Sequence, residues 1–247
     1  MDSKLKNHQG PLLASLERRL FLRRGLSLGA LSLLAGCELT DDESVQKVLT
    51  AMSRWNDGVQ AKIFSPQRLA PEFAESRITQ PFPFNAFYGE DEAPLVDAND
   101  YKLEVGGLVR EKKVWSLPEL YALPQVSQVT RHICVEGWSA IGKWSGPRFS
   151  DFLQRVGADT TARYVGFKCA DKYYGSVDMA TALHPQTIMA FKYADQVLPV
   201  KYGFPWKLRV PTKLGFKNPK HIVAMFVTND NPGGYWEDQG YNWFSGS

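Results

Sequence analysis

Strands mixed irregularly with short helices predict an α+β domain with mixed sheets, not a doubly wound one. Three observations carry that expectation. Alternating or apolar runs at residues 101–109, 126–135, 163–170 and 221–228 read as strands. Two short helical segments, each with terminal signals, fall among them. Prolines 66, 71, 81 and 83 exclude a long helix just ahead of the first strand. The 247 residues are 44% hydrophobic and 13% aromatic, the balance of an ordinary globular protein. With 29 basic against 26 acidic residues, nothing in the charge calls for nucleic acid as a partner.

The amino terminus sets the expected compartment. Arg18 and Arg19 stand just before Leu20-Phe21-Leu22, Arg23 and Arg24 follow, and residues 25–35 are small and apolar. That is a targeting segment of twin-arginine type, too short to span a bilayer alone. It ends in Leu34-Ala35-Gly36-Cys37, which resembles the lipobox of bacterial lipoproteins, with Cys37 as the lipid-bearing first residue after cleavage. An ordinary signal peptide cut elsewhere and an uncleaved anchor are the alternatives. The expected layout is an export signal at 1–36, then a tether, short helix and extended wrap at 37–80, then one domain at 81–247.

Within the tether, Val45, Val48, Leu49, Met52 and Trp55 recur at three-to-four spacing and predict an amphipathic helix. The prolines then predict an extended wrap up to Asn85. Residues 101–109 alternate until Gly106 and Gly107, where a bulge or turn is expected. Ser116-Leu117-Pro118-Glu119 is a capping box with proline in the first turn, opening a helix to about Ala122. Residues 150–156, closed by Gly157, form the second short helix.

The chain holds three cysteines, and Cys134 lies in the most informative stretch, Arg131-His132-Ile133-Cys134-Val135-Glu136-Gly137-Trp138. If residues 129–136 are extended, His132, Cys134 and Glu136 share one face. A thiolate, an imidazole and a carboxylate could then ligate zinc, although neighbours spaced about 6.5–7 Å apart along a strand fan awkwardly around a compact ion. In an oxidising compartment, Cys134 and Cys169 could instead form a disulfide. The basic residues Lys207, Arg209, Lys213, Lys217 and Lys220, uninterrupted by an acid, read most simply as a solvated face.

From Cys134 onward a series of separated motifs resembles the sulfite oxidase superfamily of molybdopterin-dependent oxidoreductases. Those motifs are Cys134-Val135-Glu136-Gly137-Trp138-Ser139, Trp144-Ser145-Gly146, Leu183-His184-Pro185-Gln186-Thr187, Gly203-Phe204-Pro205-Trp206-Lys207-Leu208-Arg209-Val210-Pro211 and Gly215-Phe216-Lys217-Asn218-Pro219-Lys220-His221. The likeness covers about residues 80–245 and is greatest to the short bacterial branch with the periplasmic methionine sulfoxide reductase catalytic subunit. It implies a sulfite oxidase-like molybdopterin-binding fold and one molybdenum-molybdopterin cofactor per chain. In that family one cysteine thiolate binds molybdenum, and motif matching puts the metal-ligating, catalytic role on Cys134.

The resemblance also places cofactor contacts at Asn85, Tyr88 and Gly89, at Cys169 where the branch carries threonine, and at Tyr202, Lys207, Asn218, Pro219 and Lys220 around the pterin phosphate. Tyr202 and Lys207 depart from the histidine or asparagine and the arginine common in relatives; lysine keeps the charge without the bidentate fork. The implied reaction is two-electron oxygen-atom transfer on a small sulfur- or nitrogen-containing substrate, in the direction of sulfoxide reduction or of sulfite oxidation. The chain carries no Cys-x-x-Cys-His haem motif and no nicotinamide glycine fingerprint. A separate cytochrome, membrane-bound or soluble, is therefore the expected redox partner, and the chain is expected as a monomer or a heteromeric subunit. The expected location is the periplasm, at the membrane through an N-terminal lipid or signal anchor. Two competing readings are an electron-transfer module without turnover and a non-catalytic, disulfide-stabilised, lipid-anchored envelope binding protein.

Overall fold

A computed structural model describes residues 43–63, 65 and 67–246. The export signal expected at 1–36 and the lipobox Cys37 lie outside the described residues. Two compact units divide the chain, residues 1–55 and residues 56–247. The described part of the first is the leading portion of helix α1 (Glu43–Ile63), which at 21 residues is longer than the short helix expected. Its Val48, Leu49, Met52 and Trp55 are exposed. Among the described residues no helix is long and apolar enough to cross a membrane.

The second unit is built on a five-stranded mixed sheet in the order β2-β1-β11-β5-β6. Its strands are β1 (Lys102–Gly107), β2 (Val114–Ser116), β5 (Tyr164–Cys169), β6 (Tyr174–Asp178) and β11 (Ile222–Thr228). Only β1 and β11 run parallel. Short helices α2 (Leu117–Tyr121), α3 (Phe149–Arg155) and α4 (Met179–Ala182) accompany it. Leu103, Trp115, Leu120, Phe149, Phe152, Leu153 and Met225 are buried together in the main core. Helix α2 starts with the expected capping box: the Ser116 backbone N–H and hydroxyl both donate to the Glu119 carboxylate, at 2.8 and 2.7 Å.

A second, antiparallel sheet has the order β3-β4-β8-β9, from β3 (Val126–Ile133), β4 (Ser139–Gly146), β8 (Lys192–Tyr193) and β9 (Gln196–Val197). A two-stranded ladder pairs β7 (Ile188–Ala190) with β10 (Lys207–Arg209). The wrap expected before Asn85 follows the β3–β4 hairpin: the Phe73 N–H donates to the Val129 carbonyl and the Thr79 N–H to the Ile141 carbonyl, each at 2.9 Å. It delivers Phe82 into a smaller core with Trp144 and Tyr202.

The expected strands all form, with ends moved by one or two residues. The consequential change is in β3, which ends at Ile133 where an extended chain through Val135 was expected. Gly137, at φ +91°, turns the chain back into β4, so Cys134 and Glu136 occupy a hairpin loop and do not share a strand face with His132. The zinc arrangement therefore does not form, and among the described residues no set of three His, Cys, Asp or Glu side chains gathers as a metal site. The disulfide alternative fails as well: Cys134 and Cys169 are free thiols.

Gly107 makes the bend anticipated at the end of β1. It sits at φ +75°, and a Cβ there would lie 2.1 Å from the Val227 carbonyl oxygen, whereas a Cβ on Gly106 meets nothing within 4 Å. Gly107→Ala should therefore destabilise the protein by about 2–3 kcal/mol in urea unfolding. Gly106→Ala should stay within about 0.5 kcal/mol of wild type in the same measurement.

Candidate functional site

The β3–β4 loop presents Cys134. Its backbone N–H donates to the Trp138 carbonyl at 2.9 Å and its carbonyl accepts from the Gly137 N–H at 3.2 Å, so the loop is closed upon itself. Burial raises the Cys134 thiol above its ordinary range and the Glu136 carboxylate adds to this, against the lowering effect of the Glu136 and Val135 backbone N–H groups. Glu136 is fixed by the Trp138 indole N–H at 2.8 Å.

Cys134 lines a cleft with Asn85, Glu136, Asp171, Asn218, Pro219 and Lys220. Five of the ten residues expected at a cofactor site thus come together from three distant parts of the chain. Tyr88 and Cys169 stand one contact back. The Tyr88 hydroxyl donates to Asp171 at 2.8 Å, and the Cys169 sulfur accepts from the Lys220 backbone N–H. Burial, then Asp171, pushes the Cys169 thiol well above its usual range. Gly89 lies outside the cleft lining; its N–H caps the following turn by donating to Glu92 at 2.8 Å.

Behind the cleft lies a group of buried cations. The whole basic stretch, whose simplest reading was a solvated face, is interior: Lys207, Arg209, Lys213, Lys217 and Lys220 are all buried. Lys213 and Lys217 find carboxylates at Asp178 and Glu237. None of the ion pairs among the described residues involves Lys207, Arg209 or Lys220. The Lys207 ammonium lies 4.7 Å from the Trp144 ring, and burial, then Lys220 and Arg209, drives it well below the ordinary lysine range. Arg209 donates to Thr130 Oγ1 (3.1 Å), the Arg131 carbonyl (2.6 Å) and Asn218 Oδ1 (3.1 Å), leaving its Nε without a partner. Lys220 donates to the Asn85 carbonyl at 2.7 Å, beneath the Phe84 and Tyr88 rings.

His132 completes the group. It is buried with both ring nitrogens unpartnered, and a Cβ on Gly215, which lines the cleft, would sit 2.6 Å from its Nε2. Burial, then Lys207, Arg209 and Lys220, lowers its pKa well below the usual value, so the ring is neutral at physiological pH. Gly203, at φ +117°, lets the chain pass between the Lys220 and Lys207 stems, 2.9 and 3.3 Å from where a Cβ would stand. Uncompensated buried charge is costly. Three such cations beside an imidazole with both nitrogens idle therefore have the donor set of a site for a multiply charged, hydrogen-bonding anion.

Two expected contacts take other work. The Asn218 side chain is used up internally, accepting from Arg209 and the Val210 N–H (2.7 Å) and donating to the Leu214 carbonyl (3.1 Å). Only its backbone and Pro219 remain to shape the cleft. The Tyr202 hydroxyl donates to the Phe82 carbonyl at 2.7 Å, and its ring packs against Tyr193 and Trp144. His132 and Arg209 carry a larger part of the site than their sequence context indicates. Alternation along β3 separates His132 from the solvent side, and that was the available clue.

Residues 90–236 match the oxidoreductase molybdopterin-binding domain family. The chain belongs to that family. A putative protein-methionine-sulfoxide reductase subunit of Azospira oryzae is 67% identical over 230 residues, 93% of this chain and 88% of that one. The protein-methionine-sulfoxide reductase catalytic subunit of Ralstonia nicotianae is 31% identical, covering 67% of this chain and 59% of its own length. The mitochondrial sulfite oxidase of Drosophila melanogaster is 30% identical, with 62% and 32% covered. In fold, the crystal structure of the sulfane dehydrogenase SoxCD from Paracoccus pantotrophus is similar at a TM-score of 0.52 and 18% identity, over 56% of this chain and 40% of that one. The chain is a molybdopterin-type oxidoreductase with an α+β fold.

The cation group fits the anionic phosphate of such a cofactor, and this has a consequence for pH. Burial pulls the Lys220 ammonium down to about 8, against about 10.4 in an unfolded chain. Between those values the unfolded chain holds a proton that the folded one has released. Lys220 therefore makes stability rise from pH 8 to 10, a gain that is lost as pH falls back over the same interval to the folded value near 8. In urea unfolding of cofactor-free protein, wild type should gain on Lys220→Met over that interval; a pH-independent difference between the two would contradict the assignment.

Proposed function

We propose that the chain is an exported sulfoxide reductase that takes the oxygen atom from a methionine-type sulfoxide. The reaction consumes two protons and two electrons for each sulfoxide converted to thioether and water. A molybdenum-molybdopterin group, one per chain, would supply the two-electron redox chemistry that this reaction needs. Cys134 is its thiolate ligand, because a soft sulfur holds such a metal in both states and this one faces the cleft. Lys207, Arg209, Lys220 and His132 neutralise and hydrogen-bond the phosphate. Asn85, Asn218 and Pro219 shape the passage, Tyr88 holds Asp171 at one contact's remove, Cys169 and Tyr202 pack behind it, and Gly89 lies outside the lining.

One observation favours sulfoxide over sulfite: the cleft is lined by two carboxylates, Glu136 and Asp171, each held by an aromatic side chain. Sulfite is anionic and is repelled there, whereas a sulfoxide is neutral and dipolar. The names of the Azospira and Ralstonia relatives support the same substrate class. Paired arginines at 18 and 19 and the motif at Cys37 support twin-arginine export to the periplasm and a membrane tether. Electrons come from a separate haem protein, a reading motivated by the single redox centre of the chain.

Holoprotein should contain about one molybdenum atom per chain and reduce methionine sulfoxide with a reduced viologen as donor. Cys134→Ala should lower that rate by more than about 100-fold. Sulfite oxidation outpacing sulfoxide reduction in the wild-type protein would overturn the proposal.

A further inference from the structure

Aromatic side chains from four separate segments form a connected cluster along one side of the cleft. Phe87 stacks on Tyr235, with centroids 4.6 Å apart and planes at 26°. Tyr235 meets Trp236 edge-on at 5.3 Å, Trp236 meets Tyr241 at 5.3 Å, and Tyr241 meets Phe216 at 5.8 Å. Tyr173 joins the cluster by stacking on Phe87 at 6.1 Å and donating its hydroxyl to the Phe216 carbonyl at 2.7 Å. Four members, Phe87, Tyr173, Phe216 and Trp236, line the cleft that holds Cys134.

Trp236 is the member whose position is most deliberately fixed. The next residue, Glu237, forms a buried ion pair with Lys217, the side chains being 6% and 2% exposed. Lys217 adjoins Phe216, so one ion pair ties two collar segments together. Asp238 accepts from the Tyr174 hydroxyl and secures the same segment to β6. A buried pair of this kind contributes little net stability for its desolvation cost, yet it fixes geometry.

We propose that this collar is the subsite for the alkyl arms of the sulfoxide, with Trp236 as its main wall and the Lys217–Glu237 pair as the device that positions it. The proposal rests on the sulfoxide-reductase reading above. A dialkyl sulfoxide offers two apolar arms and a sulfur with partial positive charge, and aromatic faces carry the negative part of the ring quadrupole. Thioether sulfur makes favourable contacts with aromatic rings, so both substrate and product suit the collar. Sulfite has no alkyl arm to place there.

Binding and turnover are measured separately on holoprotein. Calorimetric titration of the oxidised protein with methionine sulfoxide reports the collar, and viologen-driven reduction reports the chemistry. Trp236→Ala should weaken binding and raise KM about tenfold with kcat within about twofold, while Trp236→Phe retains most of the affinity. Molybdenum content should stay at the wild-type level in both. Glu237→Gln should move KM in the same direction, and the double variant Trp236→Ala/Glu237→Gln should be no worse than Trp236→Ala alone, because the pair acts through that ring. Unchanged binding in Trp236→Ala, or a loss of kcat and metal without a rise in KM, would overturn the proposal. Binding through the collar without turnover would leave it standing and refute the reductase reading instead.

Discussion

Three buried cationic side chains that form no ion pair among the described residues are the constraint around which this domain is arranged. Lys207, Arg209 and Lys220 are held in place by neutral groups: backbone carbonyls, a threonine hydroxyl, an asparagine amide and an aromatic face. Such an arrangement is poor for a folded chain alone, because each desolvated cation is left with partial compensation. It becomes favourable when an anion enters, and the binding energy then adds to the stability of the fold. The segment from Gly203 to His221 is shaped to that end. Asn218 gathers Arg209 and the Val210 amide, the Pro219 carbonyl takes the Leu208 N–H at 3.0 Å, and the Lys220 N–H reaches Cys169 on β5. One loop thereby joins the small β7–β10 ladder to the main sheet.

Both signs of charge meet at the cleft. Lys220 lines it together with Cys134, Glu136 and Asp171, while Lys207, Arg209 and a neutral His132 are buried near Lys220. Each sign has its own task. The buried cations suit a permanently bound anion, and the carboxylates repel small anions from solution that would otherwise be drawn by the same cations. Screening by salt reaches the exposed Glu136 and half-buried Asp171 more readily than the buried cations, so repulsion by these carboxylates is the more salt-sensitive of the two effects.

Local patterns in the chain revealed most of the main sheet and little of the site's depth. Strands β5 and β11 were visible because they are apolar runs bounded by turn residues, and α2 because its capping box is a local signal. Strand β4 gives a weak signal, since glycine and serine dilute its alternation. The end of β3 hinged on the positive φ of Gly137, and a glycine in a strand pattern does not disclose its φ. Burial of the basic stretch was illegible for a different reason. Lysine burial depends on what is packed around it, and the rings and carbonyls that enclose Lys207 and Lys220 come from residues 84–88, 144 and 201. The aromatic collar is likewise assembled from four segments, none of which carries a periodic pattern of its own.

The departures from the expected family pattern make sense within this packing. Lysine at 207 lacks a guanidinium fork, but Arg209, two residues on, is also buried and leaves Nε free beside the unpartnered His132. Charge and directional donors are thus supplied by two side chains where one arginine could supply both. At position 169 a thiol takes the place expected of threonine, and its sulfur accepts the Lys220 amide that a hydroxyl would also accept. The thiol is held protonated by burial, so it adds no negative charge beside the cations. Tyrosine at 202 fills space against Trp144 and anchors Phe82, which converts an expected polar contact into part of the wall behind Lys207. At these positions the packing of the inner site is kept while the individual hydrogen bonds are redistributed.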